Sequence, residues 1–81
     1  MTLNDTVNMM NSTGYEGRFC AEYYQLKIRY DKLNSMLEKW DNNTLDFNPT
    51  CPRSTYTIQK NAMETYLGIL EARAKMEKIE L

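Results

Sequence analysis

The chain has 81 residues, of which 42% are hydrophobic and 26% charged, and its net charge is −1. This length gives one domain with a thin core, and the composition is that of a folded globular protein rather than a disordered one. The balanced charge lacks the basic excess of proteins that bind nucleic acid polymers, and no apolar run approaches the ~18 residues of a membrane span. We therefore expect neither nucleic acid nor membrane among its partners.

Several common chemistries are excluded by residue content. The chain has no histidine, and its two cysteines, Cys20 and Cys51, are far apart in sequence. A histidine-based triad, a histidine-containing metal site and a four-sulfur zinc site are therefore excluded. The start of the chain, MTLNDTVNMM, lacks the basic residues and apolar block of a signal peptide. We expect a cytosolic protein that is not an enzyme, with no cofactor, no metal and two free thiols.

Residues 1–14 form an N-terminal segment that precedes the main domain at residues 15–81. Within the segment Leu3, Val7 and Met10 repeat at i, i+4 and i+7, so a short helix is one option. A first long helix is predicted at about residues 18–40, ended by the turn-forming DNN at 41–43. Its apolar stripe, spaced alternately by four and three residues, is Phe19, Tyr23, Leu26, Tyr30, Leu33, Leu37 and Trp40.

Residues 41–57 are predicted to be a loop. The segment contains both prolines of the chain, and helical periodicity stops there. Its large apolar residues Leu45 and Phe47 are expected to tuck against the helix ends. Ser54 or Thr57 offers an N-cap for a second helix at about residues 54–78.

The second helix carries two apolar faces, whereas a simple hairpin needs one. The first face comprises Ile58, Ala62, Thr65, Ile69, Ala72, Met76 and Ile79. The second face, about 140° away, comprises Met63, Tyr66, Leu67, Leu70 and Ala74. Such a helix needs neighbours on two sides. One is the first helix, and the other is either the N-terminal segment or a second copy of the chain.

These elements predict an all-α protein, an antiparallel two-helix hairpin with a short N-terminal segment. A hairpin alone has too little core, so we expect a homo-oligomeric helical bundle. The alternative is a monomeric three-helix arrangement in which residues 3–12 supply the third piece.

Two interpretations are open for the cations beside the apolar stripes. Arg29 borders the first stripe, and Arg73 lies between the two faces of the second helix. In the first interpretation they form structural ion pairs, such as Glu22 with Arg29 or Arg73. In the second, a guanidinium at a protomer interface binds phosphate while a tyrosine stacks on a base. Tyr23 and Tyr30 lie on the first stripe and are expected chiefly in the core.

Three stretches together resemble a known family. These are RFCAEYYQLKIRYDKLNSML, TLDFNPTCP and QKNAMETYLGILEARAKMEKIEL. They are similar to small phage proteins first grouped through crAss-like phages, with the pattern R-M-x-x-E-Y-x-x-L-x-x-R-x-x-K-L, a turn, and Q-x-x-A-M-x-x-Y-L-x-x-L-x-x-R-A. The resemblance covers about residues 15–81, and Phe19 replaces the usual methionine. The family looks like a relative of the helical-hairpin sponges that phages use against CBASS and Thoeris immunity.

The resemblance implies an oligomeric sponge that holds a cyclic oligonucleotide or a cyclic ADP-ribose between protomers without cleaving it. It places the protein in the cytoplasm of the infected bacterial host. Candidate phosphate contacts are Arg18, Lys27, Arg29 and Arg73. Candidate stacking or hydroxyl contacts are Tyr15, Tyr23 and Tyr66. The alternatives are a helical interaction protein that inhibits a host protein directly and a structural phage accessory protein.

Overall fold

The computed structural model describes residues 1–81, and every regular element in it is helical. A 3₁₀ helix at Leu3–Thr6 runs into the short helix α1 at Val7–Met10. The long helices are α2 at Tyr15–Asp41 and α3 at Arg53–Glu77. There is no strand, so the all-α class is confirmed.

The loop between α2 and α3 is fixed at both ends. Asn43, with φ 60°, turns the chain away from α2, and Pro52 in an extended conformation is the N-cap of α3. The predicted caps Ser54 and Thr57 lie inside α3, so that prediction was wrong: Pro52 holds the preceding backbone extended, and the helix starts directly after it. The Arg53 guanidinium donates through Nε and Nη2 to the Asp41 carboxylate at 3.2 and 3.1 Å, which joins the two helix ends.

The core lies between α2 and α3. Its buried residues are Phe19, Tyr23, Leu67, Leu70, Ala74 and Ile79. The residue numbers of the contacting partners increase along α2 while they decrease along α3. Tyr15 contacts Glu77, Tyr23 contacts Glu71, and Tyr30 contacts Glu64. The two helices of this chain therefore run antiparallel.

Ile79 reaches the core because α3 ends in a Schellman turn. Lys78 adopts a left-handed conformation with φ 56°, and the Ile79 N–H donates to the Ala74 carbonyl at 2.8 Å. The turn brings the Ile79 side chain back over Ala74, where it is 8% exposed. Its predicted place on the same face as Met76 was wrong, because the helix no longer continues at residue 79.

The N-terminal segment packs on α2 alone. Thr6 is fully buried there, with its hydroxyl donating to the Leu3 carbonyl at 2.6 Å and accepting from Gln25 Nε2 at 2.9 Å. Ala21, one turn before Gln25, is 2% exposed. The segment makes no contact with α3. It is therefore not the second neighbour that the two-faced α3 needs.

One whole face of α3 is consequently open. Ile58, Ile69 and Met76 on this face are 70%, 53% and 79% exposed, whereas Leu67 and Leu70 on the other face are buried. The radius of gyration of 15.0 Å exceeds the ~12 Å expected for a compact chain of this length. The protein is thus a thin helical pair with exposed apolar side chains along its outside.

Phe47 in the loop is also exposed, at 53%, whereas Leu45 is half-buried. The prediction that both tuck against the helix ends therefore fails for Phe47. A cleft between the loop and α2 brings Leu45 and Phe47 opposite Met36.

Candidate ligand-binding surface

Tyrosines and glutamates bridge α2 and α3 along both edges of their contact. On α3, Glu64 and Glu71 are seven residues apart and share one side, while Tyr66 and Arg73 are seven apart and share the other. We call these sides the Glu71 edge and the Arg73 edge. Four tyrosine hydroxyls each donate to a glutamate carboxylate of the opposite helix, and these are the hydroxyls of Tyr15, Tyr23, Tyr30 and Tyr66. The carboxylates, which can only accept hydrogen bonds, thus gain partners that carry no charge.

The Arg73 edge is built around one guanidinium. Arg73 Nε donates to Glu77 Oε2 at 3.3 Å, and Nη2 donates to the Tyr15 hydroxyl at 2.8 Å. The guanidinium carbon lies 5.1 Å from the centre of the Phe19 ring, a cation–π distance. The Tyr15 hydroxyl in turn donates to Glu77 Oε1 at 2.8 Å. Three side chains, Glu77, Tyr15 and Phe19, therefore fix the position of Arg73 at the surface.

Arg73 keeps binding capacity in this arrangement. A guanidinium has five N–H donors, and Arg73 uses two of them within the chain. Its side chain is 44% exposed, so the other three donors are available to a ligand. Their fixed fork geometry suits a phosphate or carboxylate group. The hydrogen bond to Glu77 raises the pKa of Tyr15, so this phenol stays protonated and able to donate at neutral pH.

Tyr66 and Arg29 extend the same edge toward the loop. The Tyr66 hydroxyl donates to Glu22 Oε2. Arg29 lies two turns after Glu22 on the same face of α2, is exposed, and has no ion-pair partner in the chain. The predicted pairing of Glu22 with Arg29 or Arg73 was therefore wrong, because Glu22 is bonded to Tyr66 and Arg73 to Glu77.

Arg18 and Lys27 have other partners. Arg18 Nη1 donates to the Ser12 and Thr13 carbonyls at 3.0 and 2.9 Å, which ties the N-terminal segment to the start of α2. Lys27 pairs with Asp31 at 3.2 Å. Its ammonium also lies 5.6 Å from the centre of the Tyr30 ring, on the Glu71 edge. Both cations are thus bonded to groups outside the cluster around Arg73.

Tyr23 belongs to the Glu71 edge and is a core residue. It is 8% exposed, and its hydroxyl donates to Glu71 Oε2 at 2.8 Å. Burial and this hydrogen bond raise the pKa of Tyr23 to about 12. Among the seven predicted site residues it alone lines a cleft, which it shares with Glu71, Lys75 and Leu81.

The structure therefore divides the seven candidates. Tyr15, Arg29, Tyr66 and Arg73 share the Arg73 edge, while Lys27 and Tyr23 lie on the Glu71 edge and Arg18 is bonded to backbone. Sequence reasoning missed the glutamates as partners of the tyrosines. The signal was present, since Tyr23 and Tyr30 repeat at seven residues, as do Glu64 and Glu71. In an antiparallel pair such repeats face each other.

The remaining surface offers few other sites. No group of three or more metal-ligating side chains is present, and no helix combines the length and hydropathy needed to cross a membrane. Cys20 and Cys51 are both free, as predicted. Burial raises the pKa of the Cys20 thiol, which lowers its reactivity.

A model of the Sequestin family matches residues 13–76, which is most of the chain. The chain belongs to the Sequestin family. The matched range contains the loop, all of α2 and all of α3 except its last residue, and thus the whole Arg73 edge apart from Glu77. It leaves out the 3₁₀ helix and α1 of this Sequestin. No curated protein and no solved structure matches the chain significantly.

Proposed function

We propose that this Sequestin binds and sequesters a small cyclic nucleotide immune signal without cleaving it. The ligand class is a cyclic oligonucleotide or a cyclic ADP-ribose, and the role is phage anti-defence in the cytoplasm of the infected bacterial host. The observation that carries the proposal is the guanidinium of Arg73, which is fixed on the Phe19 ring between Tyr15 and Glu77 and uses only two of its five N–H donors within the chain. The family name, which denotes sequestration, supports it.

The Arg73 edge offers both kinds of contact that a nucleotide requires. Arg73 and Arg29 supply positive charge and N–H donors for phosphate oxygens. Tyr15 and Tyr66 are 47% and 42% exposed, so their rings offer faces for a base. Base stacking on such a ring contributes about 1–3 kcal/mol per base.

The same side chains support the proposal that the ligand is bound without cleavage. The two carboxylates of this edge, Glu22 and Glu77, each accept a hydrogen bond from a tyrosine hydroxyl and are therefore engaged within the chain. Hydrolysis of a phosphodiester needs a placed nucleophile, general acid or metal ion. We therefore assign this edge to retention of the ligand.

A homo-oligomer is part of the proposal. On the Arg73 edge one protomer supplies a single guanidinium that is both fixed and partly free, that of Arg73, whereas a cyclic dinucleotide carries two phosphates. Two protomers related by a twofold axis double the donors and match the symmetry of such a ligand. Binding between protomers also removes the ligand from water more completely than binding to one open edge.

Purified protein incubated with separate cyclic dinucleotides, cyclic trinucleotides and cyclic ADP-ribose isomers tests the proposal. We expect one class to raise the melting temperature by mass action. Heating the complex should then release that compound chemically intact. Unchanged melting across the whole panel would refute sequestration of these ligands, and recovery of a hydrolysed product would refute binding without cleavage.

Variants locate the site for the compound that binds. Arg73→Gln and Arg29→Gln should each weaken affinity by about 10-fold or more, because a hydrogen bond to a charged group contributes roughly 1.5–3 kcal/mol. Lys39→Gln removes the same charge from an exposed lysine near the other end of α2 and should leave affinity unchanged. Equal loss in all three variants would mean that only net charge matters. No ligand binding together with specific capture of a host protein would favour the direct-inhibitor alternative.

A further inference from the structure

We infer that the open face of α3 pairs with the same face of a second copy, antiparallel and in one register about a twofold axis near residue 67. This deepens the proposed function by naming the surface through which protomers meet. Only its statement about the ligand rests on that proposed function. The face, called the α3 stripe below, comprises Ile58, Ala62, Thr65, Ile69, Ala72 and Met76.

The α3 stripe has the spacing of a helix-pairing seam. Its members are separated by 4, 3, 4, 3 and 4 residues, the pattern of the a and d positions of a heptad repeat. All six are exposed. The one polar member, Thr65, donates its hydroxyl to the Asn61 carbonyl at 3.2 Å, so its methyl group is left for packing. A seam of this kind buries its side chains only against another helix.

Side-chain sizes match when the second helix is inverted about residue 67. The large Ile58 then meets Met76 of the other copy, the small Ala62 meets Ala72, and Thr65 meets Ile69. The twofold axis repeats each pair. The two layers next to the axis therefore both pair Thr65 with Ile69, and neither sets two large side chains against each other. A parallel pairing in register would instead place each residue on its own copy, so that Ile69 meets Ile69 and Thr65 meets Thr65 near the centre. The inverted arrangement also opposes the two helix dipoles.

The flanks of the stripe accept this register without like-charge contacts. On one flank of the stripe, inversion brings Arg73 beside Gln59 of the other copy. On the other flank it brings Lys75 beside Asn61 of the other copy. Gly68 lies next to the axis, and a side chain added there would meet nothing within 4 Å. Two copies of Gly68 at the axis let the helices approach closely. The cations therefore face amides, and the flank that contains Gly68 is free of bulk at the centre.

No other part of this chain covers the stripe. The N-terminal segment is fastened to α2 through Thr6 and Gln25 and makes no contact with α3. The other long helix occupies the opposite face of α3, through Leu67, Leu70 and Ala74. The N-terminal segment and α2 both pack elsewhere, so neither covers the α3 stripe. We therefore assign the stripe to a second copy of the chain, whose residues complement it at every layer.

The pairing would also complete the ligand surface. Tyr66 borders the stripe one residue from the axis, so the two copies of Tyr66 become neighbours. The two copies of Arg73 flank them, each about 9 Å from the axis along its helix at 1.5 Å per residue. A ligand with two phosphates and two bases would meet a symmetric set of two guanidinium groups and two rings at this position.

Cysteine cross-linking tests the register without any ligand. In a Cys20→Ala, Cys51→Ser background, Ala62→Cys and Ala72→Cys proteins are refolded together and oxidised. We expect a disulfide between the two different variants, because their residues share a layer. Neither variant should cross-link with itself, since copies of residue 62 would lie about 15 Å apart along the axis. Glu38→Cys, exposed on α2, is the control that should stay monomeric on denaturing gels.

Light scattering at micromolar concentration tests the surface itself. The wild type should have the mass of two chains of 9.6 kDa or an even multiple. Ile69→Asp should have the mass of one chain and retain its helical circular dichroism, whereas Phe47→Asp, at the same 53% exposure, should keep the wild-type mass. A monomeric wild type, an unchanged Ile69→Asp mass, or self-cross-linking of Ala62→Cys would each overturn the inference. None of these outcomes depends on ligand binding, so failure here is separable from failure of the proposed function.

Discussion

Replacing Tyr23 by phenylalanine should reverse its effect on stability as the pH rises. The substitution keeps the ring in the core and removes only the hydroxyl that donates to Glu71 at 2.8 Å. At about pH 8 the variant should be roughly 1–1.5 kcal/mol less stable than the wild type, at or just below the lower end for a hydrogen bond to a charged group. The lower end applies because Glu71 is exposed and water can replace the lost donor.

The alkaline effect follows from the pKa of Tyr23. Folding raises this pKa from an ordinary value of 10.0 to about 12. The stabilisation from the raised pKa is complete below pH 10, and it is lost as the pH rises from 10 through about 12. At 1.36 kcal/mol per pKa unit, the full loss is about 2–3 kcal/mol. The wild type should therefore become less stable than Tyr23→Phe above about pH 11, since about 1–1.5 kcal/mol is lost near that point.

Guanidinium chloride denaturation, followed by circular dichroism from about pH 8 to 12, measures this difference. Tyr15 and Tyr30 also titrate at raised pKa values, but they are present in both proteins and cancel. Tyr56→Phe is the control, because the Tyr56 hydroxyl has no hydrogen-bond partner in the chain. A difference between wild type and Tyr23→Phe that stays constant over this pH range would refute the reasoning.

Two further predictions concern the core and the loop. Leu70→Ala removes the largest fully buried side chain and should cost about 2–5 kcal/mol, measured by urea denaturation, whereas Leu70→Met should cost less than about 1.5 kcal/mol. Arg53→Ala should change how the stability depends on pH in acid. The hydrogen bond from Arg53 lowers the pKa of Asp41. The stabilisation from this pair in the wild type is therefore present above the ordinary carboxyl pKa and is lost as the pH falls through the lowered value. A variant that loses stability on acidification as steeply as the wild type would contradict this.

The helices themselves could be predicted from sequence because periodicity is a local property. Phe19, Tyr23 and Leu37 repeat at helical spacing and are all buried on one side of α2. The two apolar faces of α3 were equally visible in the sequence, but periodicity does not indicate which of them packs against α2. Only the packed structure shows that Leu67 and Leu70 face α2 while Ile69 faces outward, because that choice depends on the angle at which α2 meets α3.

The sequence predicted the types of residue in the candidate site better than it predicted their hydrogen-bond partners. Arg73 was expected at the border between two faces, and in the structure its side chain is 44% exposed and paired with Glu77. Its neighbours Tyr15 and Glu77 are 58 and 4 residues away in sequence, and only antiparallel packing brings all three together. Arg18 shows the reverse: its type suggested phosphate binding, whereas its guanidinium is bonded to the Ser12 and Thr13 carbonyls.

The sequence by itself determined that this protein is all-α, that α2 and α3 are amphipathic, and that α3 has one apolar face too many for a lone hairpin. These properties depend on residue type and on spacing along a helix of fixed geometry. The tertiary structure decided which face of α3 is buried, where the N-terminal segment lies and which carboxylate each tyrosine meets. Those outcomes depend on contacts between residues distant in sequence, where the direction of one helix relative to another selects among partners of similar chemistry.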